Sequence, residues 1–180
     1  MIPVNQDIVL YEIQLEDATD IYNTINTQRD YLGEWLPFVE FSRDKSTTES
    51  FIRSTMDVPE EKRDFVFVIR FQTKFAGIIR FKETDHMNHR IEIGYWLSKD
   101  FQNKGIIIQS IKKMIDFAFE ELKMNRIQIK CAVGNKKSIR IPTKLNCHFE
   151  GIERDGELLQ GGVYTDLEVY SLLKKEWKSK

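Results

Sequence analysis

The sequence predicts a mixed α+β chain built on one sheet. Stretches of two-residue alternation recur along it, and amphipathic helical stretches interrupt them. Within residues 90–133 the period also changes from two to about 3.6 and back, which marks one βαβ unit. The expected element order is β-α-α-β-β-β-α-β-α-β-β.

The first strand is expected over Ile8–Gln14. A helix follows, starting near Glu16 or Asp17, because Ala18, Ile21, Tyr22 and Ile25 fall on one helical face. In "WLPFVEF", Pro37 disfavours helical geometry at Leu36 because its ring crowds the preceding backbone. Ser46-x-x-Glu49 has the form of a capping box ahead of Phe51, Ile52 and Met56, so a second helix is expected with Ser46 as its cap. Phe65–Phe71 is almost wholly apolar, as a central strand is. "QTK" turns the chain, and Phe75–Phe81 pairs back as a hairpin. "KETDHMNH" is expected to be a polar loop.

Arg90–Leu97 alternates, with Ile91, Ile93, Tyr95 and Leu97 on one face and Glu92, Gly94 and Trp96 on the other. From Gly105 to Lys123, Ile111, Met114, Ile115, Ala118 and Leu122 form one helical stripe. "NRIQIKCAV" is the next strand. Asn135 then caps a short helix, and two strands, about Phe149–Leu159 and Val163–Leu173, complete the order.

A chain of 180 residues with no repeat and no Pro/Gly-rich linker is expected to be one domain, 1–180. The formal net charge of −1 gives no electrostatic footprint for nucleic acid, so any anion site must be a local arrangement. Two cysteines, Cys131 and Cys147, suit a reducing compartment. No basic stretch followed by an apolar run opens the sequence, and no apolar stretch approaches the ~20 residues of a membrane helix. A cytoplasmic protein without membrane partners is expected. His86-x-x-His89 lacks a metal-ligand pattern and His148 is read as structural, so no metal is expected.

"FQNKGIII" is the informative loop. A helix N-terminus leaves backbone N–H groups unpaired and adds the positive end of the helix dipole, which together suit an anion. Gly105 would allow close backbone approach, and Lys104 adds a charge beside it. Taken alone, one glycine is explained more simply as a turn into a helix. The G-x-G-x-x-G and P-loop patterns are absent. "NKKS" caps a helix through Asn135. It also places Asn135 and Ser138 at the carboxyl end of a strand, where open α/β sheets bind ligands.

"IGYWLSKDFQNKGIII", followed at helix-plus-strand distance by "CAVGNKKS", resembles the acetyl-CoA site of the GNAT N-acetyltransferase superfamily. "YLGEWLPF" and "GIERDGELLQGGVYTDLEVYSLLKKEW" resemble its ribosomal-protein N-terminal (serine/alanine) acetyltransferase branch, and the resemblance runs over about Ile8 to Trp177. It implies a mostly antiparallel, twisted sheet of about seven strands with about four helices, splayed between the fourth and fifth expected strands. It also implies a homodimer.

The family's pyrophosphate loop reads Q/R-x-x-G-x-G/A, and Gln102, Gly105 and Ile107 stand at its marked positions. Ile107 departs from the small residue expected, and Asn103 stands where this branch often has glycine. The resemblance gives the backbone N–H groups of Asn103, Lys104, Gly105, Ile106 and Ile107 to the pyrophosphate. It lays the backbone at Trp96 and Leu97 along the pantetheine arm and has Asn135 bond that arm from the other side. Asn146 and Cys147 replace a glycine and an aromatic of the family pattern.

In the same branch a strand glutamate, matched by Glu157, serves as base. The serine of N-x-x-S, matched by Ser138, protonates the leaving thiolate. The bland alternative for Glu157 is a solvated strand residue, and Glu92 is a rival base. Glu34 and Trp35 are expected to wall the acceptor pocket, with core packing the bland reading of Trp35. An N-terminal α-amine asks less of a base than a lysine does. With a pKa near about 7.7–8.0 it is roughly a quarter neutral near pH 7.4, whereas a lysine is only about a thousandth neutral. The implied activity is direct transfer of acetyl from acetyl-CoA to a protein N-terminal amine. A small-molecule amine is the close alternative, and a non-catalytic CoA-binding module is the rival from another class.

Overall fold

The computed structural model describes residues 1–58 and 64–177. Its strands are β1 (Ile2–Pro3), β2 (Ile8–Glu12), β3 (Val66–Phe71), β4 (Lys74–Asp85), β5 (Arg90–Leu97), β6 (Arg126–Ala132), β7 (His148–Leu159) and β8 (Val163–Leu173). Its helices are α1 (Ala18–Thr27), α2 (Arg29–Gly33), α3 (Phe38–Phe41), α4 (Lys45–Met56), α5 (Ile106–Glu120), α6 (Lys136–Lys144) and α7 (Lys174–Trp177). The eight strands form one sheet in the order β1-β2-β3-β4-β5-β6-β8-β7. Neighbours are antiparallel throughout except β5 and β6, which run parallel across the α5 crossover.

The four expected helices are α1, α4, α5 and α6; α2, α3 and α7 are additional single turns. β1 is also additional. The Asn5 side-chain oxygen accepts from the N–H groups of Asp7 and Ile8, both at 2.8 Å, and so folds the first residues back onto β2. The first long strand ends at Glu12 rather than Gln14. β4 runs on to Asp85, into the stretch expected to be loop, because Lys82 and Asp85 still find partners, Glu92 and Arg90, on β5.

The cap of α4 is Asp44, not Ser46. Asp44 is the extended residue (φ −143°, ψ 169°), and its carboxylate accepts from Thr47 N–H. Ser46 lies one residue inside the helix and donates to that same carboxylate. Glu49, the expected second half of the box, instead pairs with Lys45 one turn back.

The sheet carries two cores. On one face α5 lays Ile107, Ile111, Met114, Ile115 and Ala118 against Ile91, Ile93, Ile127 and Ile129. On the other face α1 and α4 cover β3 and β4 through Ile21, Ile25, Ile52, Val66, Val68 and Ile78. Burying each of these isoleucine, valine and methionine side chains is worth about 1.5–3 kcal/mol. The β5–β6–β8–β7 half of that second face instead carries Glu92, Gln128, Lys130 and Glu153, with Lys82 ion-paired to Glu92. Asn146, at the turn into β7, adopts φ 52°, a conformation asparagine tolerates, so the turn survives without glycine.

Candidate active site

The parallel pairing of β5 with β6 stops at Glu92↔Gln128. Beyond it, Ile93–Leu97 pairs only with β4, and the two strands part. In an antiparallel ladder, alternate residues turn their N–H and C=O groups to opposite sides. The Ser98 N–H bonds to Ala76 O, toward β4. Leu97, Tyr95 and Ile93 therefore turn their backbone groups toward the gap that β6 has vacated. The Leu97 carbonyl is met there by the Tyr31 hydroxyl at 3.3 Å. Gly77 makes this backbone course feasible, since a Cβ at that position would lie 2.2 Å from Trp96 O.

The loop after β5 ends in a left-handed residue. Gly105 has φ 71° and caps α5, whose first bond runs from Gln109 N–H to Gly105 O. The N–H groups of Ile106, Ile107 and Ile108 precede that first bond, as at any helix start. Asn103, in the place of a family glycine, is also left-handed (φ 61°), and asparagine is among the few residues that visit this region readily. The Ile106 and Ile107 side chains are buried in the core under α5. The bulk of Ile107 thus points away from the outward side of the first turn, which answers why a large residue is accommodated there.

Side chains around this loop converge. Gln102 is joined to the Tyr31 hydroxyl and, at 3.1 Å, to Lys137 Nζ. The Lys137 ammonium also lies 5.5 Å from the centre of the Tyr31 ring. Lys104 is drawn onto Phe71 and Phe101, with Nζ 5.4 and 5.2 Å from the ring centres.

On the α5 side of the gap, Asn135 caps α6 by accepting from Ser138 N–H at 3.1 Å. The Ser138 hydroxyl lies 3.2 Å from the Tyr95 hydroxyl and 3.2 Å from Cys131 Sγ. Burial pushes Tyr95 well above the ordinary tyrosine range and Cys131 up to about 11, so both stay protonated at neutral pH. Trp35 reaches the same loop: its ring edge lies 3.6 Å from the position a Cβ on Gly134 would take. The Trp96 side chain faces the other core, against Phe75 and Phe38.

The opposite face of the gap is acidic at its rim. Glu157 pairs with Thr165 and Leu159 with Val163, and two-residue alternation puts all four on one face of the hairpin. A pocket of about 420 Å³ lies there between Asp30, Gly33 and Glu34 of the α2 region and Leu159, Gln160 and Val163 of the hairpin. Glu92 is on the same face of the sheet but is only 3% exposed, and its carboxylate is 2.8 Å from Lys82 Nζ. Burial raises its pKa against the pull of Lys82 and Lys130. Among the described residues no group of three or more His, Cys, Asp or Glu side chains is placed to hold a metal, and no helix is long and apolar enough to cross a membrane.

Tyr31, Tyr95, Lys137, Asp30 and Gln160 were not expected at the site. Only Tyr95 left a signal in the sequence: it is the one polar side chain on an otherwise apolar strand face, and a buried tyrosine hydroxyl requires a partner.

A sheet splayed beside a helix-start cradle, with hydroxyls on one side and carboxylates on the other, defines an acyl-transfer architecture. Residues 7–148 match the acetyltransferase (GNAT) domain family, and the chain belongs to that family. It is 36% identical to YdaF of Bacillus subtilis (strain 168), whose ribosomal N-acetyltransferase designation is provisional, over 97% of this chain and 96% of that one. It is 24% identical to the ribosomal-protein-serine acetyltransferase of Escherichia coli (strain K12), over 94% of both chains. The microcin self-immunity acetyltransferase MccE, solved with acetyl-CoA and AMP, superimposes with a TM-score of 0.88 at 32% identity, over 94% of both chains.

Proposed function

We propose that this N-acetyltransferase transfers acetyl from acetyl-CoA directly to a protein N-terminal α-amino group. The observation that carries the reading is the stretch Ile93–Leu97, unpaired toward β6, with the N–H groups of Ile93, Tyr95 and Leu97 turned into the gap beside the Gly105 cradle. That is a slot with backbone donors along one wall and helix-start donors at its mouth, which fits a pantetheine arm ending in a pyrophosphate.

When bound, acetyl-CoA supplies the thioester. The N–H groups from Asn103 to Ile107 hold the pyrophosphate, and the Asn135 amide holds the pantetheine arm opposite Leu97; Trp96, expected on that wall, instead turns its backbone groups to β4 and its ring to Phe75 and Phe38. The Leu97 N–H polarises the carbonyl to be attacked. Glu157 takes the amine proton, and Ser138 gives a proton to the departing sulfur. The two groups stand on opposite faces of the sheet, so amine and thiol are served from opposite sides of the gap. Glu157 is preferred to Glu92 as base because Glu92 is buried and tied to Lys82, whereas Glu157 lies on the hairpin face two residues from the pocket wall. Asp30 and Glu34 make that pocket acidic, which suits an ammonium-bearing acceptor. The resemblance to ribosomal-protein acetyltransferases supports a protein N-terminus as that acceptor.

The experiment is steady-state thiol release by Glu157→Gln and Ser138→Ala. A fall in kcat of roughly a hundredfold or more is expected for Glu157→Gln. Unchanged turnover in both variants would show that Glu157 is not the base and Ser138 is not the acid.

A further inference from the structure

We propose that Tyr95 is the positioning residue for Ser138: its hydroxyl donates to the serine and so keeps the serine proton off the phenol, free to pass from Cys131 Sγ to the departing sulfur. This rests on Ser138 acting as the acid, as proposed above.

A serine hydroxyl has one proton and two lone pairs. The Ser138 hydroxyl donates to Cys131 Sγ, 3.2 Å away on β6. The Tyr95 hydroxyl, on β5, is 3.2 Å from the Ser138 carbonyl oxygen, to which it donates, and 3.2 Å from Ser138 Oγ, so its one proton forks between the two oxygens of the same residue. Ser138 thus bridges the two strands that have separated, with a thiol on one side and a phenol on the other. With its proton directed between the Ser138 carbonyl and Oγ, the phenol does not accept the serine proton, and the branch donated to Oγ polarises the serine O–H and strengthens it as a donor. The phenol and the thiol both remain protonated, so the serine proton has no charged acceptor until a thiolate forms beside it.

The proton balance is closed. The C–S bond breaks as the C–N bond forms. Glu157 receives the amine proton, and the sulfur receives the Ser138 proton. Solvent restores a proton to Ser138 and takes one from Glu157, and Tyr95 keeps its own throughout.

The test compares Tyr95→Phe, Ser138→Ala and the double variant. Thiol release from acetyl-CoA is followed with a serine-initiated hexapeptide and with water as acceptors. Tyr95→Phe keeps the ring, and a melting temperature within a few degrees of the parent's verifies the fold. The expected result is a roughly three- to tenfold fall in kcat for Tyr95→Phe. KM for acetyl-CoA should be nearly unchanged, and the double variant should be no slower than Ser138→Ala alone. An unchanged kcat, a loss carried by KM, or the same further factor in the Ser138→Ala background each overturns the inference alone. A Ser138→Ala enzyme as fast as the parent, or a parent that releases no thiol with either acceptor, overturns the underlying reading and the inference together.

Discussion

Lys137 Nζ and the Gln102 side-chain oxygen meet at 3.1 Å, joining the first turn of α6 to the loop after β5 across the mouth of the gap. Gln102 is in turn bonded to Tyr31, whose hydroxyl reaches the Leu97 carbonyl. Three segments far apart in sequence thus converge where a pantetheine arm would enter.

Lys137→Met is expected to weaken acetyl-CoA binding about two- to fivefold, the usual worth of one exposed charge. Calorimetric titration at low and high salt checks it. Because exposed charges are screened, the parent and the variant should converge as salt rises. A loss of equal size at both salts would assign the effect to contact rather than charge.

Gly77→Ala should be costly. Its added carbon would meet Trp96 O at 2.2 Å and Leu97 Cα at 2.9 Å, and backbone cannot rotate away as a side chain can. Overpacking of this kind costs about 1–3 kcal/mol or more, read by urea denaturation. Acetyl-CoA affinity should fall as well, since the displaced residues line the gap.

Gly105→Ala differs, because space is not the obstacle: the nearest contact of an added carbon is Gln109 Nε2 at 3.4 Å. The cost is conformational, about 1–2 kcal/mol for an L-residue at φ 71°. Either the variant keeps the loop and loses that much stability, or the loop relaxes and acetyl-CoA binding is lost. Unchanged denaturation and unchanged binding together would contradict the cradle.

The contrast between the gap and its furnishings shows what was legible in the sequence. The alternation of Arg90–Leu97 gave the correct faces, and the change to a helical period after Gly105 located the crossover, because both are local patterns. Ser46 and Asp44 both suit a helix cap by composition. Backbone dihedrals decide between them, and these are not local to the motif. The burial of Glu92 depends on β4 continuing far enough to bring Lys82 opposite it, a pairing that a polar run such as "KETDHMNH" conceals. Tyr31, Gln102 and Lys137 meet only through the tertiary fold, and a single sequence contains no trace of such meetings.

Acid stability should depend on Glu150. Arg126 holds it in a two-pronged ion pair, Ser171 donates to it, and its pKa is lowered to about 2. A carboxyl lowered in the folded state adds stability above its unfolded pKa of about 4.3 and loses it as pH falls toward about 2. The two side chains are 26% and 33% exposed, so solvent screens the pair and its worth is about 1 kcal/mol. Glu150→Gln is expected to flatten that part of the stability–pH curve. An unaltered slope between these pH values would contradict the assignment.

Transfer to an α-amine, rather than to a lysine or a small amine, is decided by where the acetyl group ends up. The chain is incubated with acetyl-CoA and a panel of serine- and alanine-initiated peptides, each containing an internal lysine, alongside a polyamine and an amino sugar. Mass spectrometry then locates the acetyl group. One acetyl on the peptide α-nitrogen and none on the lysine is the expected product. Acetyl only on the small amines or on the lysine side chain, or on no acceptor at all, would contradict transfer to an N-terminus.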